Sequence, residues 1–288
     1  MSKLTRRQFI AGAAAAGTAA MAGRLAYAAE AGAKPRSGAD LVTLGKTGIT
    51  TTVLGVGTGT RGGSEQRLLD PDRFTALIRH AYDRGIRYID TADRYQTHGL
   101  IRHAIRGLPR EELFIQTKTA ARRAEEARAD IERFRIELDV EYLDTVLMHS
   151  MTRPTFPVDM RPVLDALSEA KQRGVVRAVG VSCHGLPPLE ASADCDGIDV
   201  HLVRINPFGD KMDGKPEDVV AQMEKMKQND RAILGMKIYG ETGFDSAEKR
   251  LQSLRYVLGL GAVHAFTIGF SSPEQIDETL DLIQQATA

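Results

Sequence analysis

The feature that most constrains the fold is a regular alternation of short apolar segments with longer amphipathic ones, repeated eight times from Leu54 onward. The short segments are rich in β-branched residues and are bounded by glycine or polar residues, a pattern typical of buried strands. The predicted strands are Leu54–Val56, Ile86–Ile89, Leu113–Gln116, Tyr142–Met148, Val175–Val181, Ile198–Ile205, Ala232–Ile238 and Val263–Ile268. The segments between them have the apolar spacing of helices.

Eight strand–helix units in one chain predict an α/β fold, a closed parallel (β/α)8 TIM barrel. An N-terminal β-hairpin is predicted before it, with strands Leu41–Leu44 and Ile49–Val53 joined by a turn at 45–48. An open doubly wound sheet is the competing architecture. It is disfavoured because a polar loop of about a dozen residues follows the glycines of the first turn, where a phosphate-cradling turn opens a helix directly.

The first 28 residues have the features of an export signal. Arg6 and Arg7 stand side by side, an alanine-rich apolar run follows, and Ala26-Tyr27-Ala28 offers small residues at alternate positions. This pattern predicts a twin-arginine signal peptide (1–28) cleaved after Ala28, export by the twin-arginine machinery and a periplasmic location. The run is short and interrupted by Arg24, so no stable membrane span is expected after cleavage. A frayed cytosolic helix, the alternative, leaves the paired arginines unexplained.

Residues 29–40 are interpreted as a flexible lead-in, and 41–288 as a single barrel domain. The chain has 38 basic and 38 acidic residues, and cleavage would remove four basic ones, so 34 against 38 leaves a net charge of −4. A weakly acidic protein has no basic field for nucleic acid. Two cysteines, Cys183 and Cys195, are too few for a disulfide framework or a structural zinc site, and no metal is predicted.

Four polar side chains follow three consecutive predicted strands. Asp90 and Tyr95 come after the second strand, Lys118 after the third and His149 after the fourth. Because parallel barrels carry their chemistry at the carboxyl ends of strands, we expect all four in one mouth. Each alone has an ordinary structural alternative: a helix cap for the aspartate, packing for the tyrosine, a solvated strand end for the lysine and a hydrogen-bonded core position for the histidine.

The four residue types together fit proton transfer. A phenol with a pKa of about 10 is a poor acid unless a cation stabilises its phenolate. Lys118 can supply that cation, Asp90 can hold the ammonium, and His149 can orient a carbonyl oxygen or share the proton. Facing a bound hydride donor, Tyr95 would then protonate a carbonyl as it is reduced.

The chain resembles the aldo-keto reductase superfamily in eight motifs along its length. They are L-G-K-T-G (44–48), L-G-V-G-T-G (54–59), Y-I-D-T-A-D-R-Y (88–95), F-I-Q-T-K-T (114–119), L-M-H-S (147–150), R-A-V-G-V-S (177–182), V-R-I-N-P (203–207) and T-I-G-F-S-S-P-E-Q-I (267–276). The resemblance implies a (β/α)8 barrel that reduces aldehydes or ketones to alcohols with NADP(H) or NAD(H). It places the family's catalytic tetrad on Asp90, Tyr95, Lys118 and His149, with Tyr95 as general acid.

The resemblance also implies a set of cofactor-binding residues, namely Gly57, Thr58, Ser182, Cys183, Tyr239, Phe270, Ser271, Ser272 and Gln275. Three positions depart from the family pattern. Cys183 stands where the family has an asparagine, and no glutamine occurs at 202–204. No cation for a ribose 2′-phosphate occurs at 270–272, which leaves NADP and NAD both open. Lys237 is expected to face the mouth without an assigned role.

Three functions stay open from the sequence. The leading one is an NAD(P)H-dependent reductase of a small-molecule carbonyl substrate, loaded with cofactor before export. The second is an exported barrel with a tightly held cofactor, acting as a transhydrogenating sugar or alcohol oxidoreductase. The third is a non-catalytic small-molecule-binding barrel, against which the complete tetrad argues. Loop residues Met151, Phe156, Phe208 and Met212 indicate a partly apolar substrate, or only loop packing.

Overall fold

The computed structural model describes residues 36–241 and 244–288. Within them, eight parallel strands close into a barrel in which each strand pairs with the next along the chain and the last pairs with the first, and a separate two-stranded sheet precedes the barrel. The predicted (β/α)8 barrel with its N-terminal hairpin is therefore confirmed. The predicted signal peptide and the lead-in as far as residue 35 lie outside the described residues.

The strands follow the order expected from the sequence. The hairpin pairs β1 with β2 in antiparallel register around a single 3-10 turn at Gly45–Thr47. The strands are β1 Leu41–Thr43, β2 Thr50–Thr52, β3 Leu54–Gly57, β4 Tyr88–Asp90, β5 Phe114–Thr119, β6 Leu143–Met151, β7 Val176–Cys183, β8 Val200–Arg204, β9 Ala232–Met236 and β10 Ala265–Gly269.

Helices separate the barrel strands in the described part of the chain. They are α1 Ser64–Leu68, α2 Pro71–Asp83, α3 His98–Ile105, α4 Ala124–Leu138, α5 Phe156–Asp159, α6 Arg161–Gln172, α7 Leu186–Ala193, α8 Pro216–Gln228, α9 Ala247–Gly259 and α10 Pro273–Thr287. Asp70 caps α2 by accepting from the backbone amides of Asp72 and Arg73. The loop after β3, predicted to be irregular, contains α1 and a 3-10 turn. No helix in the described residues is long and apolar enough to cross a membrane.

Three barrel strands continue at least two residues beyond their predicted carboxyl ends. β5 continues to Thr119, β6 to Met151 and β7 to Cys183, because these three neighbouring strands pair with one another there. Lys118 pairs in register with Leu147, so it lies inside β5 rather than after it. His149 likewise lies inside β6. A polar side chain is tolerated there because the mouth end of the barrel interior is a functional cavity and not a packed layer.

The hairpin lies at the amino-terminal end of the barrel and contributes to its interior. Leu44 and Ile49 belong to the same buried cluster as Tyr88 and Phe114, whose rings meet edge to face at 4.9 Å. The backbone amide of Lys46 also donates to the carbonyl of Asp230, two residues before β9 begins. Because the hairpin fills the amino-terminal end of the barrel, the open cavity lies at the carboxyl ends of the strands.

Candidate active site

The centre of the mouth is a buried ion pair. Lys118 on β5 is only 1% exposed, and its Nζ lies 2.7 Å from Oδ1 of Asp90, the last residue of β4. The ammonium also donates to the carbonyl of Thr91 at 2.8 Å, and Gln116 donates to the same Asp90 oxygen at 2.7 Å. A buried charge of this kind requires such partners, so the pair is held in one geometry.

Tyr95 is held beside this pair by a 3-10 turn, Asp93–Tyr95. The Lys118 Nζ lies 4.8 Å from the centre of its ring. Burial raises the pKa of the Tyr95 phenol, and the neighbouring Lys118 opposes that rise. Burial lowers the pKa of Lys118, but Asp90 and Tyr95 more than compensate, so it is raised overall. At neutral pH the site therefore holds a neutral phenol beside a charged ammonium.

His149 on β6 completes the group. Its ring meets that of Tyr95 edge to face, with centroids 5.5 Å apart. Burial, reinforced by the positive charges of Lys118 and Arg94, lowers the pKa of His149 to about 2. The imidazole is therefore neutral and can donate one hydrogen bond. Its Nδ1 is buried without a hydrogen-bond partner among the described residues.

A clamp that the sequence analysis missed links the turn of Tyr95 to the strand of Lys118. The guanidinium of Arg133 on α4 donates to Asp93 at 2.8 Å and to Asp130 at 2.7 Å. Asp130 in turn accepts from the hydroxyl of Thr119, next to Lys118, at 2.5 Å. Arg133 lies on the outer layer, and only the folded barrel brings its partners together.

Gly59 is a second residue that the sequence analysis did not assign to this site. A Cβ at this position would lie 2.5 Å from two ring atoms of Tyr95 and 2.9 Å from its hydroxyl oxygen. Real Cβ atoms essentially never approach other atoms so closely. Glycine is therefore needed here for the catalytic candidate to occupy its position.

An elongated cavity of about 470 Å³ extends from Asp90 and Tyr95 along the ends of β9 and β10 to the start of α10. This volume lies within the usual range for cofactor and ligand sites, roughly 300–1,000 Å³. Five of the predicted cofactor residues line it: Gly57, Tyr239, Phe270, Ser271 and Gln275. Lys237 lines it as well, as does the Arg250–Glu278 ion pair, which the sequence analysis did not single out.

The structure places the other predicted cofactor residues away from this lining. The Thr58 hydroxyl donates to the Asp90 carbonyl, and Ser182 Oγ accepts from the Ser150 amide at 3.0 Å. The Cys183 thiol is buried and directed at the Pro188 carbonyl at 3.4 Å, and burial raises its pKa to about 12. Ser272 occupies the N-cap position of α10. The sequence could not show these directions, because they depend on the pleat of each strand end.

The cavity fits a nicotinamide dinucleotide. Thr267 lines it with a buried hydroxyl oxygen that has no partner in the described part of the chain, so a ligand group is needed to satisfy it. Ser271 and Gln275, at the amino terminus of α10, also line it, and a helix amino terminus suits phosphate oxygens. Tyr239 provides an aromatic wall between the two ends.

Together, fold and site define a (β/α)8-barrel protein with a buried Lys118–Asp90 pair and Tyr95 beside a cavity of about 470 Å³. The model of the Aldo/keto reductase family matches residues 53–250, and the chain belongs to this family. The resemblance found in the sequence motifs is thereby confirmed.

Several relatives match part of the chain. Methylglyoxal reductase DkgB of Salmonella typhimurium is 29% identical over 147 residues, which cover 49% of this chain and 55% of that protein. The NADH-specific methylglyoxal reductase of Escherichia coli K12 is 28% identical over 170 residues, covering 49% and 51%. The chain thus spans about half the length of the relatives it matches.

Among solved structures, an aldo-keto reductase from Bacillus halodurans in its holo form superimposes with a TM-score of 0.69. The match covers 86% of this chain and 94% of that one at 16% sequence identity. At that identity the likeness shows the fold alone.

Proposed function

We propose that the protein is an oxidoreductase that reduces an aldehyde or ketone to an alcohol with NADPH or NADH. The observation that carries this proposal is the buried Lys118–Asp90 pair, with Tyr95 against it and the neutral His149 beside that ring. Those groups lie at the head of a cavity that fits a dinucleotide. Membership of the family and the names of the reductase relatives support the same reaction.

The roles of the residues follow from their charge states. The bound nicotinamide would supply a hydride to the carbonyl carbon. The Tyr95 hydroxyl donates its proton to the carbonyl oxygen, and the Lys118 ammonium stabilises the phenolate that remains. Asp90 holds that ammonium in place and keeps it charged. His149, neutral over the working pH range, orients the carbonyl oxygen through an N–H group without competing for the proton.

The test combines a measurement of cofactor binding with the variant Tyr95→Phe, which removes the phenolic hydroxyl. We expect NADPH or NADH fluorescence to change on titration into the purified protein, and methylglyoxal to serve as a first carbonyl probe because two relatives are named for it. Tyr95→Phe should keep cofactor binding and lose carbonyl reduction by at least about a hundredfold, the usual contribution of a general acid. Tyr256→Phe on α9 is the matched control and should behave as the wild type. A protein that neither holds nor binds a nicotinamide would refute the proposal.

We further propose that the protein is exported by the twin-arginine machinery, cleaved after Ala28 and active in the periplasm. The paired Arg6 and Arg7 support this, and the route carries folded proteins, so cofactor would enter before export. The route also favours the second candidate, a tightly held cofactor recycled between two substrates. Mass spectrometry of the periplasmic protein should show Ala29 as the first residue, and replacing both arginines by lysine should abolish export. Export of that double variant at the wild-type level would contradict the assignment.

A further inference from the structure

The rim of the mouth beside Tyr95 carries basic side chains that the proposed proton transfer does not use. Arg94 is the residue before Tyr95, Arg204 is the last residue of β8, and Lys237 directly follows β9. His184 directly follows β7 and lies against Arg204, whose Nη2 is 2.6 Å from its Nε2. We call these four residues the cationic rim.

The cationic rim and the neighbouring Arg67 carry more positive charge than the nearby carboxylates balance. Five described carboxylates of the cavity and rim form the pairs Asp90–Lys118, Asp213–Arg204, Glu241–Lys237, Glu65–Arg61 and Glu278–Arg250. A sixth, Asp210, lies against Gly240 of the cavity lining and forms no ion pair with the described residues. Arg94 makes no ion pair with any described carboxylate, and it is exposed. Arg67, on α1, donates only to backbone carbonyls there, including that of Tyr95 at 2.6 Å. Arg94 and Arg67 therefore have no carboxylate partner among the described residues.

The polar side-chain atoms that remain available on the four rim residues are donors, although Asp213 beside Arg204 has one buried oxygen without a partner in the described residues. A guanidinium can only donate, so the Nε2 of His184 must accept from Arg204 and its Nδ1 must carry the hydrogen. Burial and the neighbouring Arg204 lower the pKa of His184 to about 4, so it stays neutral in this role. The ion pair between Arg204 and Asp213 is loose at 3.5 Å, while Asp213 accepts a shorter bond from the Gly185 amide at 2.9 Å. Arg204 therefore retains capacity to bind an anion.

We propose that the substrate is an anionic carbonyl compound whose carboxylate binds at the cationic rim while its carbonyl oxygen lies at Tyr95. This proposal rests on the proposed reductase function and specifies its substrate class. The carboxylate is assigned to Arg204 and His184, because β7 and β8, which place them, contribute no residue to the cofactor cavity, whereas Lys237 lines that cavity as well. Arginine and a neutral N–H donor side by side match the oxygens of a carboxylate.

Binding is tested with two alcohols that differ only in this charge, 4-(hydroxymethyl)benzoate and its methyl ester, titrated calorimetrically into the purified full chain. We expect the carboxylate to bind at least about tenfold more tightly at low ionic strength, the value of one charge-assisted hydrogen bond. The difference should shrink as sodium chloride is added, because the rim is partly open to solvent. Equal affinities for the two alcohols would overturn the proposal.

Variants locate the binding group. Arg94→Gln and Arg204→Gln should each weaken binding of the carboxylate at least about threefold and leave the ester unchanged, whereas Arg204→Lys should retain part of the preference. Arg128→Gln, on the outer face of α4, is the matched control and should retain the full preference. If Arg204→Gln fails to fold because Asp213 loses its partner, the carboxylate preference of Arg94→Gln, a change at an exposed residue, still tests the proposal. An unchanged preference in the folded rim variants would refute the assignment.

The test separates this proposal from the function on which it rests. Reduction of methyl 4-formylbenzoate by NADPH or NADH reports the reductase activity without the anionic group. If the ester is reduced and the two alcohols bind equally, the anion site is wrong and the reductase function stands. If the carboxylate is preferred but neither 4-carboxybenzaldehyde nor its ester is reduced, the reductase function is wrong instead.

Discussion

At the scale of single residues, burial is the largest cause of the pKa shifts of Tyr95 and His149, and the ammonium of Lys118 is the next. It opposes the rise in the pKa of Tyr95, adds to the lowering of the pKa of His149, and is itself kept charged by Asp90. Removing either member of the buried pair would strand a charge at a cost of roughly 3–5 kcal/mol. The site can therefore be altered more informatively through residues that move Tyr95 than through the pair itself.

Gly59 is such a residue. Gly59→Ala should push the Tyr95 ring away from Lys118, because the new Cβ would lie 2.5 Å from two of its atoms. We expect carbonyl reduction to fall at least about tenfold, since small displacements of a reacting group are costly. Gly59 also lines the cofactor cavity, so cofactor affinity is measured alongside to separate a loss of binding from a loss of turnover. Steady-state kinetics and fluorescence titration measure the two quantities.

The matched control is Gly99→Ala on α3, where a Cβ would meet nothing within 4 Å. Gly99 is the second residue of α3, so this change should stabilise the protein only slightly, by restricting the unfolded chain, and leave the kinetics unchanged. Wild-type activity in Gly59→Ala would show that Tyr95 is not constrained as described.

At the scale of elements, the short turn that holds Tyr95 depends on a longer helix. The turn Asp93–Tyr95 is a single 3-10 turn, too short to be stable alone. Arg133 ties it to α4 through Asp93 and ties α4 to β5 through Asp130 and Thr119. The geometry between Tyr95 and Lys118 is therefore set partly from outside the barrel.

We predict that Arg133→Gln lowers kcat several-fold with little change in KM, because the turn loosens while the binding surfaces remain. Arg133→Lys should recover part of the loss through its remaining charge. Arg128→Gln on the same helix is the control, since its partner Glu169 lies on α6 and not at the site. Equal kinetics in Arg133→Gln and Arg128→Gln would show that Arg133 is only a surface ion-pair residue.

At the scale of the whole molecule, buried histidines couple stability to pH. Burial lowers the pKa of His149 to about 2 and that of His201 to about 3. In the unfolded chain both would titrate near 6.5, so below that pH the unfolded state binds more protons. The contribution of these histidines to the free energy of unfolding is therefore fully present above about pH 6.5. It is lost as the pH falls from there toward their folded-state pKa values.

We predict that lowering the pH from 7 to 5 reduces the free energy of unfolding by about 2 kcal/mol for each of these histidines. Urea unfolding at several pH values measures the loss. His201→Gln should make the pH dependence of the unfolding free energy shallower, by the one proton that His201 takes up on unfolding. The same slope in His201→Gln as in the wild type would contradict the prediction.

The sequence alone predicted the barrel, its hairpin and the mouth where Asp90, Tyr95, Lys118 and His149 meet. It could do so because strand order and strand ends are local patterns, and a parallel barrel brings all carboxyl ends to one side. Element boundaries were less accurate where β5, β6 and β7 extend by pairing with one another beyond their predicted ends.

Only the tertiary structure decided which side chains reach the cavity and what constrains them. The inward or outward direction of Thr58, Ser182 and Cys183 depends on strand register, and one residue of shift reverses it. The contact of Arg133 with Asp93 joins residues 40 positions apart, and that of Arg204 with His184 joins residues 20 apart on neighbouring strands. Such contacts exist only after the barrel closes, because the sequence pattern specifies which residues are buried but not which distant partner each one meets.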